Sequence, residues 1–276
     1  MKKILSLGIV AFFSLSLFAS DIFDFAPLKG NVKSYTQTDF SISTKFGVYY
    51  RTPTIKITHN FDSFGREIES LELSARDTIL NKITTEYDST GMLIGQTCTN
   101  QEGELLWKNA ITYKDGLKTE SSEYNAEDNL KAKIMYTYDG KNLVDETGYN
   151  GEGALVWKII YKYNAAGRLD TESSYNSDGS LDNRLIYKYT EDGKIDSITT
   201  IDSVTSETTQ KVFRYGTNNL LNEITVYDNN KQISSRITLK YDGNGNVIKV
   251  SDYKIMNKFD TTVNELVSMS EFSYSY

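Results

Sequence analysis

The sequence predicts an all-β protein of tandem β-hairpin repeats that form an extended or curled antiparallel sheet array. Three observations predict it. Turn glycines recur at Gly65, Gly91, Gly116, Gly140, Gly167, Gly193, Gly216 and Gly243, at intervals of 23 to 27 residues. A second series of turn signals falls roughly midway, at Arg76-Asp77, Glu102-Gly103, Glu127-Asp128, Gly151-Glu152-Gly153, Ser177-Asp178-Gly179 and Asn229-Asn230. Between the turns, apolar and polar residues alternate with the two-residue period of a half-buried strand. The 276 residues include 20 Tyr and only 2 Pro, a composition that suits strands and leaves backbone N–H groups available for ladders.

The chain begins with Met1, Lys2 and Lys3, then an apolar run from Ile4 to Phe18, the anatomy of a secretory signal peptide. Cleavage is expected after Ala19 or Ser20, because about 15 apolar residues fall short of the roughly 20 that a spanning helix needs. No cysteine lies there, so a lipid anchor is not expected. Removing Lys2 and Lys3 takes the formal charge from −7 to −7 − 2 = −9. Such an acidic chain is a poor polyanion binder, and nucleic acid is not an expected partner. Residues 21–54 read as N-terminal entry strands, with Leu28 to Ser34 leading into the array. Residues 55–276 read as the repeat domain, roughly sixteen strands in about eight hairpins with almost no helix.

One unit reads Tyr161-Lys162-Tyr163-Asn164-Ala165-Ala166-Gly167-Arg168-Leu169, then Asp170 to Ser174, then Tyr175 to Leu181, before Tyr187-Lys188-Tyr189 opens the next. These residues, with Tyr136-Thr137-Tyr138-Asp139-Gly140, resemble the YD or Rhs repeat family. The resemblance spans about residues 55 to 276. The period here is near 25 residues rather than nearer 20, many units lack the second Tyr or the Asp, and the chain is short. The resemblance implies an all-β fold and a surface location, and says little about activity.

Parity assigns the faces. Trp157, Ile159, Tyr161 and Tyr163 share one side, as do Ala132, Ile134, Tyr136 and Tyr138; this is the expected packed side. The other side carries Lys158, Ile160 and Lys162, or Lys133, Met135 and Thr137. A cation recurs along it at Lys82, Lys108, Lys133, Lys158, Arg184 and Arg236, with Lys211 one residue out of register. On preceding strands an acid recurs at Glu120, Glu146, Glu172 and Glu223. The row reads either as a charged ladder that binds a glycan or peptide, or as cross-strand ion pairing on a wet face worth about 0.2–1 kcal/mol per pair. Trp107 and Trp157 occupy equivalent repeat positions and are either sugar-stacking platforms or core side chains; their parity favours the core. Tyrosines are expected to bury the ring and leave the hydroxyl wet.

No G-x-S-x-G, phosphate loop, H-E-x-x-H or C-x-x-C is present. One Cys and one His exclude an internal disulfide and a multi-histidine metal site. Cys98 reads as a small packed side chain and His59 as structural. Asp242-Gly243-Asn244-Gly245-Asn246 alternates oxygen ligands but lacks the Gly and Glu of a calcium loop, so it reads as a turn. No metal or other cofactor is expected.

A rival architecture comes from Glu271-Phe272-Ser273-Tyr274-Ser275-Tyr276, alternating aromatics like the closing strand of an outer-membrane barrel. Strand middles oppose it: Leu169, Thr171, Ser173, Tyr175 and Leu143, Asp145, Thr147, Tyr149 put hydroxyls or a carboxylate where lipid would lie. The leading expectation is a non-enzymatic, secreted or periplasmic binding or scaffolding module for a protein or glycan of the cell envelope. The alternative is an outer-membrane barrel, and the third a glycosidase built on two carboxylates.

Overall fold

The structure, a computed structural model, describes residues 23–258 and 261–276. The expected signal segment and its cleavage point lie outside the described residues. Eighteen strands follow one another: β1 (Ser34–Lys45), β2 (Val48–Phe61), β3 (Glu67–Ser74), β4 (Ile79–Tyr87), β5 (Leu93–Asn100), β6 (Leu105–Lys114), β7 (Leu117–Asn125), β8 (Leu130–Asp139), β9 (Asn142–Asn150), β10 (Leu155–Tyr163), β11 (Leu169–Asn176), β12 (Leu181–Tyr189), β13 (Ile195–Asp202), β14 (Thr208–Tyr215), β15 (Leu221–Tyr227), β16 (Ile233–Tyr241), β17 (Val247–Lys258) and β18 (Thr261–Ser275). Phe23 to Phe25 form a single helical turn.

All eighteen strands found among the described residues belong to one sheet. Beyond pairing with β2, β1 pairs antiparallel with β18, from Ser34↔Ser275 to Ser41↔Ser268. The sheet therefore closes on itself, which corrects the expectation of an extended or curled array. The physical reason is that an open array of this kind leaves two strand edges with unpaired N–H and C=O groups. Here the first and last strands satisfy each other. The entry segment also differs from expectation, because Leu28 to Lys33 is irregular and β1 begins at Ser34. Lys33 already joins the ladders: its N–H donates to the Ser275 carbonyl at 2.8 Å and its carbonyl accepts from Phe61 N–H at 2.8 Å.

Contact density divides the chain into two compact units, residues 83–187 with 200–207, and residues 23–82 with 188–199 and 208–276. Within the first, Cys98, Ile111, Ala132 and Ile134 are buried. Within the second, Phe213, Leu221, Ile224, Ile237, Leu239, Val247, Val250, Met269 and Phe272 form the core. The helical turn seals it: the Phe23 ring meets Phe272 edge-on at 5.6 Å and Phe25 lies 4.8 Å from Phe213.

Hairpins close mostly through one turn design. In Asn164–Arg168, Asn164 N–H donates to the Arg168 carbonyl and Gly167 N–H to the Asn164 carbonyl, at 2.8 and 2.9 Å. The fourth residue sits at positive φ and bulges, as in a three-residue hairpin loop. At the first position an Asp or Asn oxygen accepts backbone N–H groups two and four residues on, as Asp88 does from Thr90 and Met92 at 2.8 and 2.9 Å. Bonds from the Thr90 hydroxyl and these amides hold the Asp88 carboxyl below its ordinary value. The same frame explains why two of the repeating glycines are displaced. At the last two turns of that series the positive φ falls on Asn219 and Gly245, while Gly216 and Gly243 occupy other turn positions.

Tyrosines serve the ladder differently from expectation. The hydroxyls of Tyr113, Tyr163, Tyr215 and Tyr241 donate to the carbonyls of Leu93, Leu143, Ile195 and Leu221, each 20 residues earlier, at 2.6 to 3.0 Å. Each latches the end of its strand to the start of the preceding one, so these hydroxyls are bonded to protein rather than water.

Candidate functional site

The recurrent cations sit on the more exposed side of β6 and β8, opposite the side that buries Ile111, Ala132 and Ile134. Each has an assigned local partner. In the first unit, Lys108 reaches Asp128 at 2.8 Å and lies 5.6 Å over the Tyr124 ring. Lys133 is 4.0 Å from Glu120, Lys158 pairs with Asp145, and Arg184 Nε donates to Ser173 Oγ at 3.1 Å. In the second unit, Lys82 pairs with Glu69 at 2.8 Å and Arg236 with Glu223 at 3.4 Å. The acids are held from behind by the hydroxyl two residues on. Ser122 donates to Glu120 at 2.7 Å, Thr147 to Asp145 at 2.6 Å, and Thr225 to Glu223 at 2.9 Å. Apart from Arg184, these cations sit in acid–cation pairs, which present an anionic polymer with alternating signs rather than a positive track.

Two of the recurrent acids lie elsewhere. Several hairpins carry a register shift next to a turn, at Thr137/Tyr138 in β8–β9 for example, and counting from the turn then misassigns the face. Asp145, paired opposite Thr137, takes the exposed position that Glu120 takes opposite Thr112. Glu146 pairs with Tyr136 and Ile159 on the more buried side, and Glu172 with Tyr161 and Leu185. There Tyr161 hydrogen-bonds Glu146, and Tyr187 donates to Glu172 at 3.3 Å. The result is an alternating row Tyr136, Glu146, Tyr161, Glu172, Tyr187, ended by Lys118 at 4.4 Å over the Tyr136 ring. Sequence reasoning missed this row because only the position of the bulge reveals it.

The two tryptophans are seated over small partners. Trp157 lies opposite Gly148, where an added Cβ would stand 2.2 Å from Trp157 Cε2. Trp107 lies opposite Cys98, which is 0% exposed, and Trp107 Nε1 is buried with no hydrogen-bond partner. Both rings lie over these small neighbours on the sheet. His59 Nδ1 lies 2.9 Å from Glu67 Oε1 and its ring stacks on Tyr35 at 4.4 Å. Among the described residues no group of three or more His, Cys, Asp or Glu is arranged to hold a metal ion.

At Asp242–Asn246 the expected turn is present and acts as a clasp. Asp242 Oδ1 accepts from Asn244 and Asn246 N–H, and Oδ2 from the Tyr276 hydroxyl at 2.8 Å. Asn246, 1% exposed, accepts from Lys29 N–H at 2.7 Å and donates to the Lys29 carbonyl at 3.0 Å and the Tyr276 hydroxyl at 2.9 Å. One side chain thus joins the start of the chain to its end.

No family model matches the sequence, and no curated protein matches it. Among solved structures, a porin-like protein from Bacteroides uniformis ATCC 8492 is similar over 90% of this chain and 99% of its own, with a TM-score of 0.50 at 10% identity. That likeness is one of fold. A porin-like protein from Bacteroides vulgatus ATCC 8482 aligns at 0.39, and a chain of the Photorhabdus luminescens Tc holotoxin pore at 0.34 with 14% identity, this protein spanning 14% of that chain. Scores at that level carry no argument, and the resemblance to YD repeats rests on the repeat residues themselves. The fold held in common is the closed antiparallel β-sheet of a porin-like protein.

Proposed function

We propose that the protein is a porin-like β-barrel of the bacterial outer membrane, working without catalysis. The observation that carries this reading is the β1–β18 ladder, which closes an even number of antiparallel strands, the construction of outer-membrane barrels. The fold likeness to a porin-like protein supports it, and supports it better than a binding or scaffolding role for an open repeat array. The acid–cation pairs of Lys133, Lys158 and Arg236 weigh against it, because they lie opposite the buried side and a lysine or arginine facing lipid at the bilayer midplane costs about 2–4 kcal/mol.

A second reading follows from one observation. The more buried side also carries Glu146 and Glu172, so neither side of β9 or β11 offers an unbroken apolar row. That favours the same closed barrel standing in the aqueous periplasm or outside the cell, where it binds an envelope protein or glycan. Expression of residues 21–276 without detergent separates the two. Aggregation that detergent converts into a heat-modifiable folded band supports the membrane barrel, and conductance in planar bilayers then measures its pore. A soluble, monodisperse β-protein refutes it in favour of the second.

A further inference from the structure

Two adjacent hairpins, β1–β2 and β17–β18, run on beyond the ladders they share with their neighbours, the second as far as Lys258↔Thr261. β18 leaves β1 after Ser41↔Ser268, and β3 leaves β2 after Ile55↔Ser74. From there to the turn the β1–β2 hairpin is a two-stranded ribbon, Ile42↔Arg51, Ser43↔Tyr50, Thr44↔Tyr49 and Lys45↔Val48. Phe46 lies five positions beyond Ser41, so the tip stands about 17 Å along the strand beyond the shared ladder.

The tip has unusual chemistry for this chain. Phe46, Val48, Tyr49 and Tyr50 are all exposed, Phe46 at 104%. Phe46 also has a positive φ of 52° beside Gly47 at 77°. Elsewhere the residues at positive φ are Asp, Asn, Ser, Lys or Gly. A bulky ring held in a backbone region it disfavours and left in solvent has no role in the stability of the turn. Charge is also segregated: residues 40–60 contain Lys45, Arg51 and Lys56 and no Asp or Glu, in a protein whose formal charge is −7. Arg51 leans back over Phe40 at 5.0 Å to Glu271, and Lys56 pairs with Asp77, so Lys45 is the cation at the very end.

We propose that this ribbon is a membrane-contact element whose tip enters the headgroup layer of an anionic lipid surface. Aromatic rings and a cation at one end match that layer, where rings settle at the interface and lysine meets phosphate. Tyr49 and Tyr50 point to opposite sides of the ribbon, so the apolar surface wraps the end instead of forming one flat platform. That arrangement suits end-on entry into lipid and is poor for stacking a sugar chain. The inference rests on the second reading, a closed sheet standing beside the membrane, because strands that span a bilayer would carry the tip outward past the headgroups.

The test places the reporter F46W at the tip and measures quenching of its fluorescence, relative to the parent protein, by brominated lipid. Vesicles are phosphatidylcholine alone or mixed equally with phosphatidylglycerol. Quenching is expected in the mixed vesicles, weakened about fivefold in apparent affinity by adding Lys45→Ala and about tenfold or more by adding V48S/Y49S/Y50S. Circular dichroism and the heat-modifiable band report the sheet separately, so failure of the tip and failure of the second reading are told apart. An F46W indole that stays unquenched in both vesicles, or quenching indifferent to Lys45→Ala and to lipid charge, overturns the proposal. So does protection of that indole from acrylamide by polygalacturonate when vesicles give none, which would assign the ribbon to an anionic glycan.

Discussion

Replacing Asn246 with Ala should open the clasp between the two ends of the chain. The side chain makes three hydrogen bonds of 2.7, 3.0 and 2.9 Å to Lys29 N–H, the Lys29 carbonyl and the Tyr276 hydroxyl, and is almost wholly buried. At about 1 kcal/mol per bond, and with the Lys29 groups left partly unsatisfied, the loss is about 3 kcal/mol. Asn246→Asp refines the argument. It keeps the acceptor for Lys29 N–H but turns a carboxylate toward the Lys29 carbonyl, so at neutral pH it should be no better than Ala. Protonation at low pH restores a donor and should narrow the gap between Asp and wild type. Urea unfolding followed by tryptophan fluorescence measures all three proteins in the same solvent or detergent. A loss below about 0.5 kcal/mol for Ala, or an Asp variant as stable as wild type at pH 7, would refute the assignment of Asn246 as the joint.

Tyr241→Phe removes the 2.6 Å bond to the Leu221 carbonyl and should cost about 1 kcal/mol in the same assay, with faster amide exchange at the start of β15. Gly148→Ala drives a methyl into Trp157 and should destabilise by about 1–3 kcal/mol, and pairing it with Trp157→Leu should cost less than the sum of the two changes. Acid should weaken the turns. The carboxyls of Asp62, Asp88, Asp178, Asp192 and Asp242 lie below their ordinary values because backbone and side-chain donors bind the charged form. Their contribution is therefore complete above the unfolded value of about 3.9 and lost as pH falls through the lower folded values. Urea midpoints should drop below about pH 4, and Asp88→Asn, which keeps the turn acceptor, should flatten part of that drop; an unchanged slope would refute the turn assignment.

Much of the architecture was legible in the residues. The alternation of Trp157, Ile159 and Tyr161 with Lys158, Ile160 and Lys162 set the two sides of β10, and the Gly, Asn and Asp pairs marked the hairpins. Repeat spacing showed a cation row and an acid row near one another, without showing which acid meets which cation. Closure was not legible, because a run of similar hairpins reads the same whether its ends meet or part, and the pairing of Ser34 with Ser275 leaves no periodic trace. Bulges hid the rest: a one-residue shift beside Tyr138 exchanged Asp145 for Glu146 on the exposed side and concealed the Tyr–Glu row. Phe46 was overlooked for a different reason, since only its backbone angle and isolation beyond the ladder set it apart from an ordinary strand aromatic.

The meeting of Lys33 with the final residue, whose carbonyl accepts from Lys33 Nζ at 2.8 Å across 243 positions of chain, has a consequence for the order of assembly. Every hairpin, β1–β2 included, can form as soon as its own few residues have been synthesised, but the outer edge of the first strand must wait for the last. During synthesis that edge stands open, and a ribosome that stalls before β18 releases a chain with two sticky margins.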